Sequence, residues 1–325
     1  MIGPLRFQPL LKPMVWGGRL LAERLGKSLP TADLYGESWD VSDHVTHSSM
    51  VAGGQLSKTT LRDLMARRRR ELLGPAAPAH EIFPWLVKHL DAHELLSVQV
   101  HPDDAQATKL RPGERGKTEV WFILEARPGS RVYAGLLPGT DEKALRAALA
   151  NGTVAQCLHS FEPRPGDCVF LPAGTVHAVG GGVLMAEIQQ TSDVTFRLFD
   201  WNRRDARGQA RALHVEEAMA SIHWDKGPVQ PVPAKAFAAG SPPGRQVLAA
   251  SQYFHLEFRR ENAPFDVGGA DRLRLVLPVA GGGTLTTPDG METVAIGQAW
   301  LIPASCPIER CTPEGSLAYL LCTLP

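Results

Sequence analysis

Gly166-Asp167-Cys168-Val169-Phe170-Leu171-Pro172-Ala173-Gly174-Thr175-Val176-His177 reads as a turn, a short apolar strand, a Pro-Ala-Gly turn and the start of a further strand. Without a gap it can be laid over Gly297-Gln298-Ala299-Trp300-Leu301-Ile302-Pro303-Ala304-Ser305-Cys306-Pro307-Ile308. His177 then falls opposite Ile308. This echo predicts two related β-barrels of which only the first is equipped to hold a metal.

Working outward, Val183-Leu184-Met185-Ala186-Glu187-Ile188, Glu119-Val120-Trp121-Phe122-Ile123-Leu124-Glu125, Leu95-Leu96-Ser97-Val98-Gln99-Val100 and Phe83-Pro84-Trp85-Leu86-Val87-Lys88-His89-Leu90 are apolar enough for core strands. Leu5-Arg6-Phe7 and Tyr35 to Ser42 are shorter strand-like pieces before Val51. Two helical inserts interrupt the β pattern. One, within about 58–80, has Thr59 or Thr60 as cap and Leu61, Leu64 and Met65 at helical spacing; the other, within about 140–158, starts acidic at Asp141-Glu142. Residues 226–246 carry five prolines and read as linker or loops. The expected organisation is therefore a domain over 1–230 holding both inserts and a second β domain over 231–325.

The composition is that of a globular chain: 325 residues with 44% hydrophobic content, 31 glycines and 26 prolines suit many short strands joined by turns. Lys plus Arg and Asp plus Glu are 34 each, so no bulk field would hold the chain on nucleic acid or an anionic membrane. The run Arg67 to Arg70 is read as a solvated helix end. The start of the chain lacks the features of a signal peptide and no apolar run reaches about 18 residues, which places the protein in the cytoplasm. Five cysteines without close pairing are read as reduced, mostly buried thiols.

The chemistry concentrates in a few polar residues on these strands. In Gln99-Val100-His101, alternation puts Gln99 and His101 on one face and Val98 and Val100 on the other. Glu119 begins a strand and His177 follows a turn. Together the four offer two nitrogens and two oxygens, a donor set that suits Zn²⁺ and also admits Mn²⁺, Fe²⁺ or Co²⁺. A lone strand histidine is more often a hydrogen-bonded core residue; the combination is what points to a metal. Lys88, Lys117 and Arg197 form a basic set beside it, and in Thr191 to Trp201 alternation places Asp193, Thr195 and Arg197 on one face, a polar stripe that implies a cavity.

The inward Gln-x-His pair, the strand-start Glu and the Gly-Asp-x-x-x-x-Pro-Ala-Gly-x-x-His turn resemble the metal-binding halves of cupins, with Gln in place of one usual His. More closely, the chain resembles the type I mannose-6-phosphate isomerases (phosphomannose isomerases) in their short bacterial form. The resemblance runs in order through Lys12-Pro13-Met14-Val15-Trp16-Gly17-Gly18, Tyr35-Gly36-Glu37-Ser38-Trp39, Leu96 to Asp104, Gly116-Lys117-Thr118-Glu119-Val120-Trp121, Pro172 to Ala178 and Gln189 to Trp201. It implies a mainly β fold of two cupin-like jelly-roll barrels, and one zinc ion per chain at Gln99, His101, Glu119 and His177. It also implies Arg197 as the active-site arginine, Ser97, Lys88 and Lys117 near the substrate, and Glu187 and Asp193 lining the pocket. The implied reaction interconverts mannose 6-phosphate and fructose 6-phosphate, and the chemistry calls for a cis-enediol.

Lys88, Ser97 or Lys117 would receive phosphate and Arg197 would stabilise negative charge. Glu187, Asp193, Lys117 and a water on the metal all remain open as the base. The triplet Gly180-Gly181-Gly182 lengthens the turn after His177 and leaves the placement of Glu187 to the structure. The rival readings are a cupin metal oxygenase, which Gln99 as ligand and the basic pocket oppose, and a non-catalytic sugar-phosphate-binding cupin. A hexose phosphate is the expected partner, with no nucleic acid and no membrane. Oligomeric state is left open, a monomer being compatible.

Overall fold

Strand periodicity sorts the first two hundred residues into two facing sheets. The computed structural model describes residues 1–204 and 208–325, and the protein is mainly β. One sheet runs, in spatial order, Leu10–Gly18, Tyr35–Val41, Trp85–Ala92, Val183–Gln190, Glu119–Ala126, Asp167–Leu171 and Val232–Pro233; the other runs Phe196–Phe199, Val98–Val100, His177–Gly180, Arg131–Leu136 and Leu158–Phe161. Neighbouring strands in both sheets are antiparallel.

Alternation decides which side chains meet. On the larger sheet Leu90, Trp121, Ile123 and Met185 join Val132, Ala134 and Val179 of the smaller one in a single buried cluster between the sheets. The opposite parity, Val87, Val120, Phe122 and Ile188, lies in the cluster that contains Leu61, Leu64 and Met65 of the helix Leu61–Leu73. That helix starts where expected, with Thr60 and Asp63 forming a reciprocal capping box. The outer face of the smaller sheet, with Val98, Val100, Phe196 and Leu198, is covered by Leu145 of the helix Glu142–Asn151 and by Ala218 and Met219 of the helix Val215–Ser221.

Residues 244–323 supply a third sheet, in order Gly244–Ala250, His255–Glu261, Glu309–Thr323, Arg274–Thr287 and Gly290–Ala295. Its Leu256, Phe258, Leu275, Leu277 and Leu320 belong to the same core cluster as Phe122 and Ile188. Phe122 and Phe258 stack at 6.2 Å, and the Trp85 indole donates to the Tyr253 carbonyl at 3.1 Å.

Some expectations shift. Leu10–Gly18 is a strand although Pro13 and the Gly17-Gly18 pair argue against one; it survives as an edge strand with register shifts around Pro13. Leu5 does not stay with its neighbours but exchanges both backbone hydrogen bonds with Leu301 at 2.8 Å, tying the opening segment to the third sheet. The helix Asp104–Leu110, with its Asp103–Gln106 capping box, stands between the strands that carry Gln99 and Glu119. Residues 226–246 are mostly loop, as expected, but Val232–Pro233 extends the first sheet by pairing with Asp167 and Cys168. Ile308, the position matched to His177, is 68% exposed and fills no interior. Among the described residues no helix is long and apolar enough to cross a membrane, and all five cysteines are free, four of them buried.

One buried polar group makes stability depend on pH. His89 lies on the outward parity of its strand, fully buried, with Nδ1 2.6 Å from Asp40 Oδ2, while its Nε2 has no partner among the described residues. Burial pushes the His89 imidazole below its ordinary value of 6.5 in spite of the Asp40 carboxylate. The unfolded chain therefore binds a proton that the folded chain refuses, and this stability is present above about pH 6.5 and lost as pH falls. We predict that the unfolding free energy of metal-free protein declines from pH 7 towards pH 5, and that His89→Gln makes the decline shallower. Equal slopes for the two proteins in urea titrations would refute this.

Candidate metal centre and active site

Register assembles two rows of polar side chains and turns them towards each other. Across the larger sheet, Glu187 is paired directly with Lys88 on one side and Trp121 on the other. Across the smaller sheet, Gln99 is paired directly with His177 on one side and Arg197 on the other. Glu119 opens its strand two residues before Trp121 and shares its inward parity.

Where the rows meet, His101, Glu119 and His177, all buried, place donor atoms within 4.8 Å of one another. His101 Nε2 is 3.5 Å from Glu119 Oε2 and His177 Nε2 is 3.4 Å from Oε1. Both imidazoles are oriented from behind. His101 Nδ1 lies 2.8 Å from the Val194 carbonyl and His177 Nδ1 2.8 Å from the Thr175 carbonyl. A carbonyl oxygen only accepts, so each Nδ1 carries the proton and each Nε2 presents a lone pair to the cluster, the tautomer that metal-binding histidines adopt. Gln99 stands 3.3 Å from His177 Nε2 through its amide nitrogen. A half-turn of the amide would bring its oxygen there instead.

The protonation states suit a cation. Burial pushes His177 down to about 4 and His101 well down too, with Lys117 adding to both shifts, so both are neutral near pH 7. Burial raises the Glu119 carboxyl against the pull of Lys117. Neither Glu119 oxygen accepts a hydrogen bond from the described residues, although Lys117 Nζ is in ionic contact with Oε2 at 2.9 Å. Lys117 also lies 3.2 Å from His101 Nε2. Two unprotonated imidazole nitrogens and an under-satisfied buried carboxylate fit a divalent ion, and Lys117 already sets a positive charge against them.

Beside the cluster a cavity of about 290 Å³ is lined by Lys88, Ser97, Gln99, Lys117, Glu187, Asp193 and Arg197, among others. The glycine triplet does not displace Glu187. Its carboxylate is 3.2 Å from Lys88 Nζ and 4.0 Å from Lys117 Nζ, and it accepts from the Trp121 indole at 2.9 Å. Burial opposes its ionisation, but the two ammonium groups outweigh burial and hold the carboxyl below the usual range. Lys88 is likewise raised: burial would lower it, and the carboxylates of Glu187 and Glu37 prevail. Arg197 is half-buried, donating from Nε to Ser97 Oγ at 3.1 Å and from Nη1 to the Ala212 carbonyl at 3.0 Å. Asp193 sits at the rim, 43% exposed and 3.7 Å from Lys12.

Four lining residues carried no expectation of a role. Lys12, with its ammonium 3.4 Å from the Trp39 ring centre, and Glu37 belong to motifs read only as family signatures. Trp121 was read as strand core, and its indole N–H was legible only through register. Arg211 comes from a stretch with no alternation to place it.

Residues 5–129 match the model of the type I phosphomannose isomerase catalytic domain, a segment that carries Gln99, His101 and Glu119. A mannose-6-phosphate isomerase of Streptococcus mutans is 34% identical over 296 residues, 91% of this chain and 90% of that one. The chain belongs to the type I phosphomannose isomerase family. Another relative of the family, a probable mannose-6-phosphate isomerase of Bacillus subtilis, is 39% identical over 229 residues, 70% of this chain and 71% of that one. The crystal structure of the mannose 6-phosphate isomerase from Bacillus subtilis matches with a TM-score of 0.86 at 27% identity, covering 99% of each chain.

The buried charges beneath this candidate site yield a stability prediction. Glu187→Gln leaves Lys88 and Lys117 buried with one carboxylate fewer, and removing one partner of a buried pair costs about 3–5 kcal/mol. Urea unfolding of the metal-free variant at pH 7 should register a loss of that size; a change below about 1 kcal/mol would show that water, not Glu187, solvates the two lysines.

Proposed function

We propose that the protein interconverts mannose 6-phosphate and fructose 6-phosphate, holding one zinc ion with Gln99, His101, Glu119 and His177. The observation that carries this reading is the convergence of two tautomer-fixed imidazoles and a buried carboxylate beside a cavity lined by Gln99, Lys88, Lys117 and Arg197. Residues 1–230 form the catalytic unit, with Val232–Pro233 added to its larger sheet, and the rest of 231–325 a second barrel without metal ligands. Zinc bound by Gln99, His101, Glu119 and His177 would supply Lewis-acid polarisation of sugar oxygens.

The chain's own residues account for the rest. Lys88, Lys117 and Ser97 receive the phosphate, ammonium groups and a hydroxyl facing a dianion. Glu187, kept ionised by its two lysines, takes the proton from C2 of the open-chain aldose. The electron pair moves into a C1–C2 double bond and the carbonyl π pair onto O1, giving a cis-enediolate whose one hydroxyl proton passes from O2 to O1. Returning the proton to C1 re-forms a carbonyl at C2 and yields the ketose. Arg197, its guanidinium fixed by Ser97 and the Ala212 carbonyl, stabilises the negative charge that develops on the oxygens. Asp193, at the rim, holds Lys12 and shapes the entrance.

Two measurements test this. In a coupled assay of mannose 6-phosphate turnover, His101→Ala should lose metal and activity together and chelation should abolish wild-type activity, whereas Arg197→Ala should retain the metal and lose about 10²–10³-fold in kcat. A metal-loaded wild type inactive on both hexose phosphates would defeat the proposal. In deuterated solvent, label should enter the product at C1; complete retention of the C2 hydrogen through turnover would replace the enediol with a hydride shift.

A further inference from the structure

The face of the third sheet turned away from the shared core carries a concentration of arginines that the isomerase reading does not use. Along His255–Glu261, Leu256 and Phe258 face the core, while His255, Glu257 and Arg259 point the other way. Register brings further polar groups alongside: Thr323 is paired with both His255 and Arg274. An open cavity of about 530 Å³ collects Arg259, Arg272 and Arg274 together with His255, Glu257 and Thr323.

The side-chain charges in this cavity do not balance. Glu257 is the one acidic side chain among the described residues that line it, and it is taken by Arg259, which donates to it from Nε at 2.9 Å and Nη2 at 2.7 Å. Arg272 is exposed and has no carboxylate partner among the described residues. Arg274 has none either; its Nη2 donates to the Gly268 carbonyl at 2.6 Å, and its Nε is buried without any acceptor. Burial and the neighbouring Arg272 and Arg259 all weaken the hold of Arg274 on its proton. A guanidinium N–H removed from water with nothing to bond, beside a second unpaired guanidinium, costs free energy that an anion would recover. The planar fork of Arg274, the exposed fork of Arg272 and the Thr323 hydroxyl supply donors of the kind that recognise tetrahedral oxyanions.

We infer that the mouth of the second β domain is an anion site, separate from the catalytic cavity, in which Arg272 and Arg274 bind the dianionic phosphate of a small molecule or free phosphate. It lies on the sheet face opposite the one packed against the metal-bearing sheets, so its occupant does not compete with the substrate. The inference stands independently of the reaction proposed above.

Calorimetric titration of the full chain with inorganic phosphate tests it. Wild type should bind one more phosphate per chain than Arg272→Gln/Arg274→Gln, with the isomerase kcat and KM of the variant unchanged. Because Arg274 also braces the Gly268 carbonyl, Arg272→Gln alone is measured in parallel; its residue is exposed, and its phosphate affinity at this site should fall about tenfold, the scale of one charge-assisted contact. Displacement of bound phosphate by glucose 6-phosphate would identify a monoester site, and indifference to the sugar would identify a free-ion site. Identical phosphate stoichiometry and affinity in wild type, the single and the double variant would overturn the inference, whatever the assay of isomerase activity shows.

Discussion

The carboxylate of Glu187 between the buried ammonium groups of Lys88 and Lys117 is the interaction on which the site is built. Three almost wholly buried charges are tolerable only if their geometry is fixed, and for Lys88 and Glu187 it is fixed by direct cross-strand pairing. The same lysine that answers Glu187 also answers Glu119, so charge balance runs continuously from the cavity into the donor cluster. Occupancy of the cluster and the placement of Lys117 are thereby linked, since both meet the same carboxylate.

That register has to be held on both faces. Inward parity delivers Lys88, Glu187 and Trp121 to the cavity and Glu119 to the donor cluster beside it; outward parity delivers Val87, Ile188, Val120 and Phe122 to a core shared with the third sheet. A one-residue slip would exchange the two sets and bury the charges against leucine and phenylalanine. The third sheet, by covering the outward face, makes the slip prohibitive. Its role in the first site is structural, and its own polar face is left for other chemistry.

Much of this was legible because strands and turns announce themselves locally. Alternation in Gln99-Val100-His101 and in Asp193 to Arg197, the Pro-Ala-Gly turn before His177 and the capped helix from Thr60 depend on residues a few positions apart. Lys12–Asp193, Trp121–Glu187 and Arg211 were not legible, since each depends on partners tens to hundreds of residues distant. The Gly166 to His177 echo pointed to a common turn-strand-turn pattern, but the burial of its last position is decided by what stands opposite: His177 meets Glu119, and Ile308 meets solvent.

The sequence by itself determined the β class, the family signature and which residue types were available as metal donors, because periodicity and turn chemistry act over a few residues. Only the tertiary structure decided that His101 and His177 present Nε2 and not Nδ1, that Glu187 is ionised, and that Glu119 stands under-satisfied between them. Tautomer and charge state are set by distant carbonyls and ammonium groups, which approach only when the sheets close on each other.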